Sequence, residues 1–338
     1  MNKYIVSVLA VALIIGSAVT TAFAMGEKDG GKAVVFKIAT GLPESHYSTK
    51  SYYMLAEHVE KKSNGAFDVQ IFPANQLGDD KEVIELIQQG IVQMNPTGTS
   101  AMSNFEKSFT LFSSPYLFKN QEDVDRLLEG EFGKELLMTL ESSGLKGLGF
   151  GIMGFTNISN SKRPIVNAED LVGIKLRTVQ NPLLLEFFRE VGANPVPMSF
   201  TELFSALQQG VVDGQFNPLT TIYTNKFQEV QKYISLTSDI ASLVVYTMSK
   251  SYYDALSPEH QQILQEGIKI SQDYMKSQWV LEEKKSYDLL EKSGMVEINE
   301  VSDKTKRDLF LKGYPVIEKF GKEANPKLFA ILKKELGL

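Results

Sequence analysis

Residues Gly173 to Pro218 read GIKLRTVQNPLLLEFFREVGANPVPMSFTELFSALQQGVVDGQFNP. Ile174 to Val179 has the β-branched content of a strand. Pro182 suits the first turn of a helix, and Leu184, Leu185, Phe187 and Phe188 give that helix its apolar face before Gly192 stops it. Pro195 to Met198 is a short extended piece. Ser199 and Glu202 have the spacing of a capping box for the next helix, which Gly210 ends. Val211 to Phe216 follows as a strand. The order β-α-β-α-β predicts a parallel sheet covered by helices.

The same order recurs between residues 34 and 95. Val34 to Thr40 reads as a strand, Ser45 to Lys62 as a helix stopped by Asn64-Gly65, and Ala66 to Phe72 as an alternating strand. Asp79 or Asp80 can cap a helix running to Gln89, and Ile91 to Asn95 is the next strand. The two halves share a local sequence, Gln88-Gln89-Gly90-Ile91-Val92-Gln93 against Gln208-Gln209-Gly210-Val211-Val212-Asp213. Both need a helix closed by a left-handed glycine and immediate entry into a buried strand.

Between them, Phe105, Phe109, Leu111, Phe112, Tyr116, Leu117 and Phe118 make the most aromatic part of the chain. A stacking platform and a core-lining connection are both open there, and the core reading is preferred. Helices are expected over 121–128 and 132–142. The glycine-studded Leu145 to Met153 is expected to leave the first lobe as a strand. Ile240 to Ser249 reads as a strand returning to it. From Ser257-Pro258 a helical pattern runs unbroken to about Lys292, with Gly294 as the cap, roughly 50 Å at the standard rise and long enough to brace two lobes. A strand at 296–298 and two further helices follow. The fold class is therefore α/β, two βαβ-type lobes joined by hinge strands and a long C-terminal helix. The expected division is 33–154 with 243–282 for lobe one and 155–242 with 283–338 for lobe two.

The chain has 338 residues, 43% of them hydrophobic, enough for two cores. The net charge is −6 and the basic residues are scattered, which speaks against nucleic-acid binding. Residues 1–24 carry Lys3, an apolar run and Ala22-Phe23-Ala24, the layout of a cleaved secretory signal, and 25–32 read as a loose leader. Without cysteine there is no disulfide, thiol catalysis or lipid anchor. An exported soluble protein of the periplasm, monomeric and without a cofactor, is expected.

No phosphate loop, nucleophile elbow or dinucleotide fingerprint is present. None of His46, His58 and His260 has a partner at metal-ligand spacing, and the last two read as surface residues. What remains is the carboxyl edge of two α/β sheets, where ligands bind. Arg177 and Asn217 lie at that edge, as do the helix starts near Pro182 and Phe200. In the first half the edge carries 41–46, with His46, then Asp79-Asp80 and 95–100. Arg177 can grip a carboxylate through its planar fork. On spacing alone a surface salt-bridge residue is the preferred reading of Arg177, a turn that of Asn217-Pro218, and core that of Phe200.

The motifs GIKLRT, VGANPVPMSFTELFSALQQGVVDGQFNPL, KFQEVQKYISLT, FPANQLGDDKEVIELIQQG and NSKRPI resemble the substrate-binding proteins of tripartite ATP-independent periplasmic (TRAP) transporters, over nearly all of the mature chain. That resemblance implies two lobes of the periplasmic binding-protein kind closing on an organic acid and delivering it to a membrane permease. It implies that Arg177 binds the carboxylate, that Asn217 supports it, and that Phe200, Asp80, Gln180, Thr156 and His46 belong to the site. Thr156 stands where many members have a second arginine. Gly98 and Ala101 stand near a glutamate and an arginine of sialic-acid binders. The expected ligand is therefore a uronate or related sugar monocarboxylate, with a C4-dicarboxylate or aromatic acid as alternative. An exported sugar-acid enzyme and a sensor of the same ligand are the rival functions.

Overall fold

The computed structural model describes residues 33–118 and 120–338. The export-signal and leader expectations, residues 1–32, lie outside the described residues. The chain begins with β1 (Val34–Ala39), α1 (Tyr47–Lys62), β2 (Phe67–Phe72), α2 (Asp80–Gln88) and β3 (Met94–Gly98). A short α3 (Thr99–Met102), α4 (Gln121–Glu129) and α5 (Glu131–Thr139) lead to β4 (Leu145–Phe155) and β5 (Asn157–Asn160). Then come β6 (Lys175–Thr178), α6 (Pro182–Glu190), β7 (Asn194–Pro197), α7 (Leu203–Gln208), β8 (Gly214–Asn217) and α8 (Leu219–Thr224). The chain finishes with β9 (Tyr233–Leu236), β10 (Ala241–Ser249), α9 (Lys250–Ala255), α10 (Pro258–Ser293), β11 (Glu297–Glu300), α11 (Asp303–Ala324) and α12 (Pro326–Leu336).

These strands form two sheets, ordered β2-β1-β3-β10-β4 and β11-β9-β5-β8-β6-β7. In each, the expected βαβαβ unit is parallel: β1 pairs with β2 and β3, and β6 with β7 and β8. The shared hexapeptide has one geometry in both. Gly90 and Gly210 sit at φ 76 and 70. The two N–H groups after each glycine turn back to one carbonyl, Leu86 in the first lobe and Ala206 in the second. Gln93 Oε1 then accepts the N–H of Lys37 at 2.8 Å, and Asp213 Oδ2 accepts that of Lys175 at 3.0 Å. This turn uses three residues, so the strands begin at Met94 and Gly214, later than the expected Ile91 and Val211.

The described chain passes between the two sheets three times. β4 runs into β5 through Thr156, and β9 returns to β10 through Asp239 and Ile240. The two crossings touch: Thr156 N–H donates to Ile240 O at 2.9 Å, and Asp239 N–H to Thr156 O at 3.1 Å. The third is α10, capped by Ser257 and ended by Gly294 at φ 63, as the sequence suggests. It packs on α1 and β4 in the first lobe and on α8 in the second. The glycines of β4 make room for it. A Cβ at Gly149, Gly151 or Gly154 would meet Gln272, Met275 or Trp279, successive residues on one face of α10.

The aromatic connection is core. Phe109, Phe112, Leu117 and Phe118 are buried, with Phe112 edge-on to Phe132 at 5.3 Å. That core extends through α6 into the second lobe, and α11 covers it by packing on both α6 and the 107–113 turn. α12 packs on α4 and α5. The reading of His260 as a surface residue needs correction. It is only partly exposed and sits edge-on to Phe67 at 4.9 Å.

Candidate functional site

A cavity of about 310 Å³ lies between the two lobes at the carboxyl ends of the parallel strands. Its walls come from both lobes: Asp80, Gly98 and Asn104 on one side, Arg177, Phe200 and Asn217 on the other. A larger hollow of about 450 Å³ lies across α8, lined by Lys50, Lys226, Lys285, Glu229 and Glu282 among others. None of the residues expected from the sequence to bind ligand lines that hollow, and no β-strand residue does.

Arg177 lies in β6, only 6% exposed. Its Nε and Nη2 both donate to the carbonyl of Met198, at 3.2 and 3.0 Å. That bond holds one edge of the guanidinium and leaves the Nη1–Nη2 edge without an acceptor among the described residues. Phe200 lies beneath it, 5.9 Å from ring centre to Cζ. Among the described residues no carboxylate forms an ion pair with it. Burial pulls its pKa down to about 10, with the more distant charges of Asp80 and Glu202 opposing. A buried cation without a paired anion is costly, and such a site is built to receive one.

Asp79 and Asp80 divide their work. Asp79 caps α2, accepting the N–H groups of Lys81 and Glu82, both at 3.0 Å, while Glu82 completes the box. Asp80 is left free to face the cavity, where Oδ1 accepts from Asn95 Nδ2 at 3.4 Å. Burial raises its pKa to about 6 against the Asn95 hydrogen bond, the Gly98 N–H and the charge of Arg177.

Gln180, Phe200, Asn217 and Thr156 all line the cavity. Thr156 Oγ1 donates to Asp239 Oδ1 at 2.5 Å, which ties the two hinge crossings together. His46 does not line the cavity. It is fully buried as the N-cap of α1: Nδ1 accepts the N–H of Ser48 at 3.2 Å, and Nε2 lies 3.5 Å from Thr221 Oγ1. Burial, then the Lys50 charge, lowers its pKa to about 3, so it is neutral.

The expected helix start near Phe200 is displaced. Ser199 Oγ pairs with Thr201 Oγ1 at 2.7 Å instead of capping, and α7 begins at Leu203 without a side-chain cap. The start at Pro182 is as expected, but Asn181 Oδ1 already accepts the N–H of Leu184. Asn181 Nδ2 meanwhile donates to Ser100 O, Ser103 Oγ and Ser113 Oγ of the first lobe. Asn104 Nδ2 reaches Gln180 O at 2.9 Å, so the lips of the cleft meet. Sequence reasoning missed Asn104 and the largely apolar wall of Ala241, Leu243 and Val244, with Ser242 between them. That wall carries no local signal, because β10 reaches the site through its pairing with β3 and β4.

Two α/β lobes, hinge strands and a buried cleft arginine with no ion-paired carboxylate among the described residues define a solute receptor of the binding-protein class. Residues 38–323 match the model of bacterial extracellular solute-binding protein family 7. The chain belongs to this family, the solute-binding proteins of TRAP transporters, which are periplasmic, bind small carboxylates and work with membrane permeases. It is 33% identical to the C4-dicarboxylate-binding periplasmic protein DctP of Rhodobacter capsulatus over 73% of this chain and 74% of that one. The galactonate complex of the sugar acid binding protein DctPAm from Advenella mimigardefordensis superimposes with a TM-score of 0.87 at 31% identity, covering 90% of this chain and 98% of the other. A TRAP solute binding protein from Polaromonas bound to D-erythronate gives 0.83 at 31%, covering 89% and 98%.

Proposed function

We propose that this chain is the periplasmic receptor of a TRAP transporter for a uronate or other sugar monocarboxylate. The ligand's carboxylate pairs with the open edge of Arg177, Asn217 and Phe200 flank it, and Asp80, Gln180 and Thr156 surround the remainder. The observation that carries this reading is the buried guanidinium, which has no ion-paired carboxylate among the described residues. A carboxylate there forms two parallel charged hydrogen bonds in a site from which closure removes water, which strengthens the pair. The cavity stands at the small end of ligand pockets, about 300 to 1,000 Å³, and so suits a compact acid. Relatives of similar identity hold galactonate and D-erythronate.

The protein acts as a monomer without catalysis, is exported through a cleaved signal at residues 1–24, and passes its ligand to the permease. Lobe one comprises 33–154 with 243–282 and lobe two 155–242 with 283–338, α12 reaching back to α4 and α5. The Rhodobacter relative, named for C4-dicarboxylates, favours a dicarboxylate as the second reading. Calorimetry with D-galactonate, D-glucuronate and succinate tests the proposal. Binding by the wild type that vanishes in Arg177→Ala supports it, and unchanged affinity in the variant refutes it. Recovery of the bound acid intact separates a receptor from an enzyme.

A further inference from the structure

The turn that carries Asn217 into the cavity wall is held from outside. β8 ends at Asn217, and α8 starts two residues later at Leu219. Pro218 lies between them as the N-cap. It has no side-chain oxygen to offer, so α8 has no side-chain cap of its own. The first N–H groups of a helix find no acceptor within it. Leu219 and Thr220 are both buried, so the acceptor for theirs has to come from elsewhere in the protein.

It comes from α10. Glu283 Oε2 accepts the N–H of Leu219 at 3.0 Å, and Oε1 accepts that of Thr220 at 2.9 Å. Both oxygens of one carboxylate are used, each on a different amide. One turn further along α10, Ser286 Oγ donates to Thr220 Oγ1 at 3.3 Å. The same face of α10 passes the crossing out of β4. A Cβ at Gly154 would lie 3.2 Å from Trp279 Cε3 and 3.4 Å from Glu283 Cγ. Glu283 therefore stands where the brace, the crossing and the start of α8 meet.

Asn217 is stiffly joined to this anchor. On one side its backbone pairs with Asn157 of β5, and its Nδ2 donates to Gln215 Oε1. On the other, only Pro218 separates it from the held amide of Leu219, and the proline ring locks φ there. A shift of the Leu219 amide is therefore passed to Asn217 with little loss. Asn217 and Thr221, which flank the two anchored amides, both line the cavity, whereas Glu283 does not. We infer that Glu283 is a positioning residue for the ligand: from the brace helix it fixes the turn that carries Asn217, so affinity for the bound acid depends on a carboxylate outside the cavity. The inference rests on Asn217 flanking the ligand's carboxylate.

Glu283→Gln keeps one acceptor oxygen and turns an NH₂ group toward the other backbone N–H, donor against donor. Calorimetry with D-galactonate at pH 8, above the value of about 7 to which burial raises Glu283, should find binding weakened roughly tenfold. Asn217→Ala should weaken it as well, and the double variant should be no weaker than Asn217→Ala alone, within about twofold. Ser286→Ala removes the neighbouring bond between α10 and α8 but leaves the two anchored amides alone, and it should stay within about threefold of wild type. Melting curves verify the fold of each variant, and Glu283→Asp, whose shorter side chain cannot reach both amides, replaces Glu283→Gln if the latter does not fold. A Glu283 variant within about threefold of wild type, fully additive effects in the double variant, or an equal loss in Ser286→Ala would overturn the inference. If Asn217→Ala binds like wild type, Asn217 leaves the site and the inference falls with it, while the carboxylate grip stands or falls on Arg177→Ala alone. One readout needs no ligand. The side-chain amide resonances of Asn217, assigned by their absence in Asn217→Ala, should move in the empty Glu283 variant, and unmoved resonances overturn the inference whichever acid is bound.

Discussion

Replacing Arg177 with methionine should make the empty protein more stable and the receptor useless. The guanidinium is 6% exposed, and its pKa is pulled to about 10. Against an ordinary value of about 12.5, at about 1.4 kcal/mol per unit, carrying that charge costs the unliganded fold about 3 kcal/mol. Two contacts offset part of this. The bonds to the Met198 carbonyl contribute about 1.5 kcal/mol and the stacking on Phe200 about 0.5 kcal/mol. The balance favours Arg177→Met by about 1 kcal/mol, near 2 °C in Tm for a chain of this size. Methionine fills a similar volume, so the core is not opened. Binding moves the other way. Losing one partner of a buried charged pair costs about 2–5 kcal/mol, or roughly 30- to 5,000-fold in Kd. Scanning fluorimetry with and without D-galactonate reads both effects: a higher Tm for the empty variant, and no upward shift on adding the acid. A Tm several degrees lower without ligand would refute the unpaired-cation account. Galactonate affinity within about threefold of wild type would refute the grip.

The other predictions concern the hinge and the brace. Glu283 on α10 accepts the N–H groups of Leu219 at 3.0 Å and Thr220 at 2.9 Å, and burial raises its pKa to about 7. Between its unfolded value, near 4.3, and 7 the folded chain keeps a proton that the unfolded chain has lost, so this group lowers stability as pH rises through that window. Glu283→Gln should flatten the dependence of Tm on pH there, and an unaltered slope would count against the assignment. His46 has the opposite sign. Its folded pKa of about 3 lies below an unfolded value near 6.5, so stability is lost as pH falls between them. His46→Asn keeps a good N-cap and should retain more of its neutral-pH urea midpoint at pH 4 than the wild type does. Gly151→Val places a Cβ 2.8 Å from Met275 Sδ. Overpacking of this kind should cost about 1–3 kcal/mol, measurable by urea denaturation.

Features that close within a few residues were legible in the sequence. Ser257 and Gly294 bound the long helix, and Gly90 and Gly210 end their helices, where the expectation put them. The paired βαβαβ units followed from those signals. The strand starts after the two glycines were misplaced because the turn needs three residues before the ladder resumes, a cost that hydrophobicity does not reveal. The hinge contact between Thr156 and Asp239 joins residues 83 apart, and the apolar wall of β10 arrives from farther still, so neither has a local trace. Asp80 is the instructive case. By residue type either Asp79 or Asp80 can cap, but the sequence distinguishes them. Asp79 has Glu82 three residues on, which completes a reciprocal box, whereas Asp80 has Val83 there and cannot form one. The residue excluded from the cap is the one whose carboxylate is free to face the cavity. In a βα loop at a sheet's carboxyl edge, the acid that fails the capping register is therefore the better candidate for the ligand, because the helix end already satisfies its neighbour.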